Sequence, residues 1–597
     1  MTEYQDRLRE LETGWVRTRG QHASAGAALA FAGLLILMLA PYARGQHILL
    51  WWLGLLIPVA AVAVRRFRRY QADRTRNWRL KRFYSGGLER AAGEWAGKGF
   101  GGDEFHDADH LYARDLGVFG EGSLFELLCI ARTAIGRRGL ARYLVEGSPL
   151  EEIRLRQEAV AELEKLAELR EEVVMLGEYE SAESRWETFA RWLDSPAVWF
   201  PKWLRVVAGI SSTLLAVIVI FGLLTAGPGL LPWMWIAKAA WPLLAFHAAV
   251  GVLFRRRVNG AIESMRSLSV EIGVVRQGLR LLETGRFQSV KLTQLAQRVR
   301  QGSQRLRKLD RLLGMLGQRD KDGYYFLSRA LLGGTQLCMA VEQWRMKYGA
   351  DLRIWLEAWG EFEALNSLGN YAHENREHTF PEFCEGGACF EAARLGHPLL
   401  RDETCVRNEV ELGAASRFYM ISGSNMSGKS TLMRAIGLNA VLALAGAPVR
   451  ARSLRMSRLS ICTSIAVVDS LLNGTSKFLE EVDRLRRTIE LAGRGPVLFL
   501  VDEIFSGTNS RDRRAAAEAV VRTLVGHGAI GALSTHDMSL TEIADAAGLG
   551  GQNVHMGSRE GGGPMDFDYL LKAGATMETN ALAIARMAGV VVQGGTA

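Results

Sequence analysis

Cysteine is scarce in this chain of 597 residues, with only six: Cys129, Cys338, Cys384, Cys389, Cys405 and Cys462. They are scattered, and the closest pair, Cys384 and Cys389, lacks zinc-knuckle spacing. That points away from a cysteine-built metal site and leaves them as reduced core residues. Acidic residues are also in deficit, 64 against 73 lysines and arginines. The resulting net charge of +9, mostly arginine, implies an anionic partner, either phospholipid or nucleic acid. Apolar content is not lacking: 48% hydrophobic with 23% charged describes a globular chain and excludes a disordered one. Its length exceeds what one core can fill and predicts three to five folded units.

Four stretches nearly or wholly lack charge over bilayer length, in two pairs: 23–42 with 48–64, and 206–226 with 230–254. Each pair reads as a helical hairpin. Arg7, Arg9, Arg17 and Arg19 precede the first pair and Arg65, Arg66, Arg68 and Arg69 follow it. Lys202 and Arg205 precede the second, with Arg255, Arg256 and Arg257 after it. The positive-inside bias then predicts a multi-pass protein of the inner membrane with both termini cytoplasmic. Lys238 and His247 interrupt the fourth stretch, and an interfacial lysine among Trp233, Trp235 and Trp241 is the simpler reading than an ion path.

The stretch "RFYMISGSNMSGKST", 417–431, reads as a buried strand running into a glycine-rich loop and a helix that starts near Lys429. This is the context of a phosphate-binding loop. Gly423, Ser424, Asn425, Met426, Ser427, Gly428 and Thr431 would wrap phosphates with backbone amides. Lys429 would reach the outer phosphates, and Ser430 would offer a hydroxyl to Mg2+. Further on, "VLFLVDEIFSGTNSRDR" supplies a second buried strand ending in Asp502 and Glu503. Asp502 is placed to hold the metal, and Glu503 to act as the catalytic base on water. A third strand near 529–533 runs into Ser534, Thr535 and His536, which puts His536 at the ligand end of an open α/β sheet as a second catalytic candidate.

These three motifs together resemble the ATPase domain of the MutS family, within the ABC ATPase superclass. The stretch "DSLLNGTSKFLEEV", 469–482, is similar to the family's loop that enters the partner's ATP site, with Ser476, Phe478 and Glu481 at matching places; Ser470 departs from the usual acidic pair. "GSLFELLCIARTAIGRRGLARYLVEGSPLEEIRLRQEAVAEL", 122–163, and "EFEALNSLGNYAHENREHTFPEF", 361–383, resemble the two ends of the family's helical core and lever domain. "TNALAIARMAG", 579–589, resembles its closing helix. The resemblance covers about 115–197 and 258–590, so the second hairpin falls where relatives insert a clamp. The mismatch-reading domain, the dimerisation appendage and a nuclease module have no counterpart. Phe119-Gly120-Glu121 reads as a chance match to the mismatch-reading triplet.

The expected fold class is therefore membrane-anchored α plus α/β: two hairpins, a helical lever domain and a carboxy-terminal ATPase domain. The expected boundaries are 1–22 cytoplasmic, 23–64 hairpin, 65–114 basic linker, 115–200 lever, 201–254 hairpin, 255–383 lever and 384–597 ATPase. The resemblance implies ATP and Mg2+ as cofactors, a homodimer, and mismatched or branched DNA as ligand. A membrane tether acting on lipid or protein, and an ABC-type exporter, are the competing functions. The exporter reading is weakened by "LNGTSKF", where a serine-glycine-glycine-glutamine signature belongs. In 297–319, Leu306, Leu309, Leu313 and Leu316 share one helical face. Arg298, Arg300, Arg305, Arg307, Lys308 and Arg311 crowd the remainder, open to nucleic acid, anionic lipid or water.

Overall fold

The computed structural model describes residues 3–13, 47–177, 191–196, 200–225, 230–266, 268–318, 325–424, 426–465, 477–506, 509–559 and 566–576. After a helical stretch at 3–13 comes α1 (His47–Ala91). A helical region follows: α2 (Leu124–Leu128), α3 (Ala134–Val145), α4 (Leu150–Lys165), α5 (Ala167–Val174), α6 (Lys202–Thr225) and α7 (Leu230–Arg266). It continues through α8 (Leu268–Thr284), α9 (Val290–Arg298), α10 (Gly302–Gln318), α11 (Tyr325–Ala330) and α12 (Gly333–Glu374). The remainder is α/β, with β1 (Glu382–Phe383), β2 (Phe390–Leu395), β3 (Asn408–Leu412), β4 (Phe418–Ser422), α13 (Lys429–Ala445), β5 (Ser453–Met456) and β6 (Ser460–Ser464). Then come α14 (Lys477–Ala492), β7 (Val497–Val501), α15 (Ser510–Gly526), β8 (Ile530–Thr535), β9 (Gly551–His555) and β10 (Lys572–Ala573).

Helix α12 is the spine of the helical region, packed against α3, α4, α9 and α10. Its approach to α3 is close because glycines face each other there: a Cβ on Gly139 would lie 2.4 Å from the Gly360 carbonyl oxygen. Trp359 is fully buried one residue earlier, and a Cβ on Gly278 of α8 would come within 2.3 Å of its ring. Two buried carboxylates from different helices hold the start of α3. Glu363 accepts from the Arg132 amide at 2.7 Å and contacts the Thr133 hydroxyl, and Glu271 accepts from the Ala134 amide at 3.0 Å. Burial pushes the Glu363 carboxyl up to about 7, although these donors favour its charge.

The leucine face of α10 is in the core as expected: Leu306, Leu309, Leu313 and Leu316 are all buried. Its basic side is divided. Arg305 pairs with Asp351 at 2.9 Å, while Arg307, Lys308 and Arg311 are exposed to solvent.

The amino-terminal half differs from the expected layout. Residues 14–46, which hold the first apolar stretch, lie outside the described residues, and the second stretch begins the 45-residue α1. In place of a basic linker at 65–114, α1 runs to Ala91, and the segment after it buries Trp95, Ala113, Leu116, Val118 and Phe119. The Phe119 ring packs with Phe105 and Phe125, which gives that triplet a core role. Arg7 is bonded to Glu171 and Glu10, and Lys81 to Glu12, so part of the basic charge that flanks the first pair is taken up by pairs inside the chain.

Among the described residues two helical segments are long and apolar enough to cross a membrane, Trp203–Gly222 and Met234–Ile262; four are not shown. Both pack one side onto the helical core through Leu204, Ala208, Val250, Phe254 and Met265, while Val206, Ile210 and Val217 are exposed. His247 is satisfied internally, with Nε2 at 2.8 Å from the Ser211 hydroxyl and Nδ1 at 2.6 Å from the Ala330 carbonyl. Lys238 stands 5.3 Å over the Trp235 ring.

The main sheet has the order β10-β9-β4-β8-β7-β6. All its neighbours are parallel except β10, which runs antiparallel to β9. β4, β7 and β8 are buried at every residue, as their unbroken apolar runs predict for a sheet covered on both faces. A smaller sheet, β1-β5-β2-β3, stands beside it. It brings Cys384 and Cys389 near each other, their Cα atoms 7.9 Å apart. Both hang from the end of β5, where the Cys384 amide donates to the Met456 carbonyl and the Ser457 amide donates to the Cys389 carbonyl. The other four cysteines are free.

Trp359→Ala empties the largest fully buried side chain at the α8–α12 crossing and is expected to cost about 3–5 kcal/mol. The check is the midpoint of denaturant unfolding; a loss below about 1 kcal/mol would show that α12 is not the spine described.

Candidate functional site

β4 delivers the chain into a loop that only unusual backbone can form: φ is 144° at Gly423, 73° at Met426 and 101° at Gly428. The loop has no spare room. A Cβ on Gly423 would lie 2.3 Å from the Met556 carbonyl oxygen, and one on Gly428 would lie 3.0 Å from the Tyr569 ring. α13 starts at Lys429, so the unbonded amides of its first turn, with the positive end of the helix dipole, face the loop. The Lys429 ammonium donates to the Gly423 and Ser424 carbonyls, both at 2.8 Å. Burial pushes its pKa down, while the charges of Asp502 and Glu503 oppose that shift. Ser427 Oγ is buried and has no hydrogen-bond partner among the described residues. A tight loop with a buried ammonium, an unpaired hydroxyl and a helix amino terminus suits a polyanion such as a chain of phosphates.

The carboxylates lie beside this loop because β7 and β8 are in parallel register with β4. Ser430 Oγ donates to Asp502 Oδ2 at 2.5 Å, and the Asp502 amide donates to the Ser464 carbonyl at 2.8 Å. Glu503 has φ 53°, a left-handed conformation that costs energy in a non-glycine residue. Its Oε1 is 3.4 Å from His536 Nδ1 at the end of β8. Glu481 Oε1 accepts from the Phe505 amide at 2.8 Å, and the Phe478 ring lies 5.8 Å from that of Phe505. Among the described residues no group of three or more His, Cys, Asp or Glu could hold a metal. A divalent ion here would rest on Ser430 and Asp502, with phosphate and water oxygens completing its shell. That arrangement fits magnesium.

Sequence reasoning missed several members of this site. Ser534 Oγ accepts from the Glu503 amide at 3.1 Å and bonds to Asp502 Oδ1, so one hydroxyl ties β8 to both carboxylate residues. The available signal was its position two residues before His536, which puts the two on one side of an extended chain. A cavity of about 520 Å3 opens beside the loop, with Gly428, Thr431, His397, Asn408, Phe567 and Tyr569 in its wall. Asn408 anchors the far side, donating to the Tyr569 carbonyl at 3.1 Å and accepting from the Leu571 amide at 2.8 Å. No local motif marks these contacts, because they join positions more than 150 residues apart. Asn425, Ser476 and the 579–589 stretch lie outside the described residues.

The parallel sheet with loop, carboxylates and imidazole at one edge defines a nucleotide-binding α/β domain. Residues 419–593 match the family model of MutS domain V. Similar curated proteins include "DNA mismatch repair protein MutS 1" of Halobacterium salinarum, 33% identical over 239 residues, 39% of this chain and 27% of that protein. "DNA mismatch repair protein MutS" of Bacillus subtilis is 32% identical over 234 residues, 38% and 27%, and that of Lactobacillus acidophilus is 30% identical over 252 residues, 41% and 28%. The match thus spans about a quarter of these relatives' length. The similarity to the MutS family is thus carried by this domain.

These findings overturn the expected multi-pass inner-membrane location. The relatives carry names of DNA repair proteins, and only two apolar helical segments of sufficient length occur among the described residues, each with one side packed in the fold. The lipid partner, the membrane tether and the exporter draw no support from them.

His397 gives a pH prediction. Burial, reinforced by the Arg434 and Arg450 charges, lowers its pKa to about 4, and its Nδ1 accepts from the Leu399 amide at 3.2 Å. His378 is lowered to about 3 for the same first reason. Both are neutral when folded and take up protons when unfolded below about pH 6.5, so their stabilisation is complete above that pH and is lost as pH falls toward 4. Going from pH 7 to pH 5 should cost about 2 kcal/mol through His397 alone. His397→Asn, which keeps an acceptor, should flatten the unfolding-midpoint profile; an unchanged slope would refute this assignment.

Proposed function

We propose that the chain is a MutS-type ATPase that binds and hydrolyses ATP with Mg2+ as a homodimer and engages mismatched or branched duplex DNA. The observation that carries this reading is the 2.5 Å contact of Ser430 with Asp502, between a lysine-bearing loop and a strand-end carboxylate pair. The magnesium ion, when bound, neutralises phosphate charge. Gly423, Ser424, Asn425, Met426, Ser427, Gly428 and Thr431 form the phosphate cradle. Lys429, released from the Gly423 and Ser424 carbonyls, pairs with the outer phosphates. The cavity beside Tyr569 is large enough to take the nucleoside end. Glu503 accepts the proton of the attacking water, and His536 at 3.4 Å orients that carboxylate.

Ser476 is proposed to complete the partner's site, which makes turnover a property of the dimer. The helices on either side of α6 and α7 act as one lever, with 384–597 as the ATPase domain. The exposed Arg307, Lys308 and Arg311 on α10 supply phosphate contacts to DNA.

The test is turnover of the purified chain across protein concentration, with and without homoduplex, mismatched and branched DNA at two salt concentrations. Turnover per chain should rise with concentration, respond to DNA structure, and weaken in that response as salt rises. Glu503→Gln should lower it about a hundredfold or more. Turnover independent of concentration rules out the shared site, and indifference to every DNA rules out the DNA ligand.

A further inference from the structure

One short segment outside the ATPase motifs bonds to β6, α13 and α14, which lie beside the residues that carry them. Residues 110–116 leave the helical region, where Tyr112 Oη donates to the Leu144 carbonyl at 2.8 Å and the His110 ring lies 3.4 Å from the Val145 carbonyl, both near the end of α3. From there the segment reaches β6, at the end of the main sheet's strand order, and α13. The Leu111 carbonyl accepts from the Thr463 amide at 3.0 Å, and the Asp115 carbonyl accepts from Arg434 of α13 at 3.0 Å. Leu116 fills the space over Gly437 of α13, where a Cβ would meet it at 2.7 Å.

The Asp115 side chain is the centre of this segment. It is fully buried, and a single oxygen, Oδ2, faces three donors, from β6, from the residue directly after it and from α14. These are Thr463 Oγ1 of β6 at 3.0 Å, the Ile465 amide just beyond it at 2.8 Å, and Arg484 Nη1 of α14 at 3.0 Å. Each element leads directly to the carboxylate pair. Ser464, between Thr463 and Ile465, accepts from the Asp502 amide; Glu481, one turn before Arg484, accepts from the Phe505 amide. A buried carboxylate and guanidinium, 0% and 7% exposed, are a poor means of holding a fold together, because their desolvation offsets most of their attraction. They are a good means of fixing direction, since three donors converge on one atom and leave no alternative register.

We propose that Asp115 is a positioning residue for the nucleotide site: through Arg484, Thr463 and Ile465 it sets the backbone that carries Asp502 and Glu503, and so links the helical region to hydrolysis. This rests on the ATPase reading above. Because the segment is held at one end by α3 and at the other by β6 and α14, a shift of the helical region reaches the carboxylates without passing through the phosphate loop.

The test compares the full wild-type chain with Asp115→Asn, Arg484→Met and the double variant Asp115→Leu/Arg484→Met. The double variant removes both charges and so avoids an unpaired buried one. Two readouts are taken: ATP turnover with nucleotide affinity, and hydrogen exchange of the amides of Asp502 and Phe505. The double variant is expected to keep its thermal midpoint and its ATP affinity within about twofold. Its kcat should fall tenfold or more, and exchange at Asp502 and Phe505 should accelerate at least tenfold. A double variant that folds with wild-type kcat and wild-type exchange overturns the proposal. A wild-type chain without turnover sinks the ATPase reading itself, and unchanged exchange in the double variant then separately removes the positioning role.

Discussion

The site depends on the parallel register of β4, β8 and β7. Because these three strands are buried at every residue and point the same way, whatever follows each of them emerges at one edge of the sheet. The edge receives a glycine loop from β4, two carboxylates from β7 and an imidazole from β8, and the hydroxyls of Ser430 and Ser534 bind Asp502 from both sides. The left-handed backbone of Glu503 is affordable only because its amide is held by Ser534 and the turn after it by Glu481 and Arg513. Removing the register would scatter these groups even if every one of them were kept.

The helical region is organised by different physics. α12 is held by apolar burial and by close glycine contacts to α3 and α8, with buried carboxylates satisfying the start of α3. Its neighbours α3 and α4 also pack against α13, so the helical region and the sheet share one apolar core. The segment 110–116 carries its direct hydrogen bonds to β6, α13 and α14. The helical region and the sheet are therefore joined both by a shared apolar core and by the polar contacts of this segment.

Much of this was legible in the residues themselves. The three strand-and-turn motifs located β4, β7 and β8 to within a residue or two, because unbroken apolar runs followed by glycine or acid have few other readings. The leucine spacing of 306–316 likewise named the buried face of α10. The apolar runs gave two helices of sufficient length among the described residues where four were expected, and the arginine count ignored Glu171 and Glu10, which neutralise Arg7. Asn408, Tyr569 and Asp115 escaped notice because their contacts are between positions far apart in sequence, where no local pattern survives, and Ser534 was read only as the end of its strand.

The most direct measurement is isothermal titration of the full chain with ATP in the presence and absence of Mg2+. The account predicts one nucleotide per chain, tighter with the metal, abolished by Lys429→Ala and retained by Glu503→Gln. Binding that survives Lys429→Ala at full affinity, or no binding by the wild-type chain, would contradict the claim that this edge of the sheet is a nucleotide site.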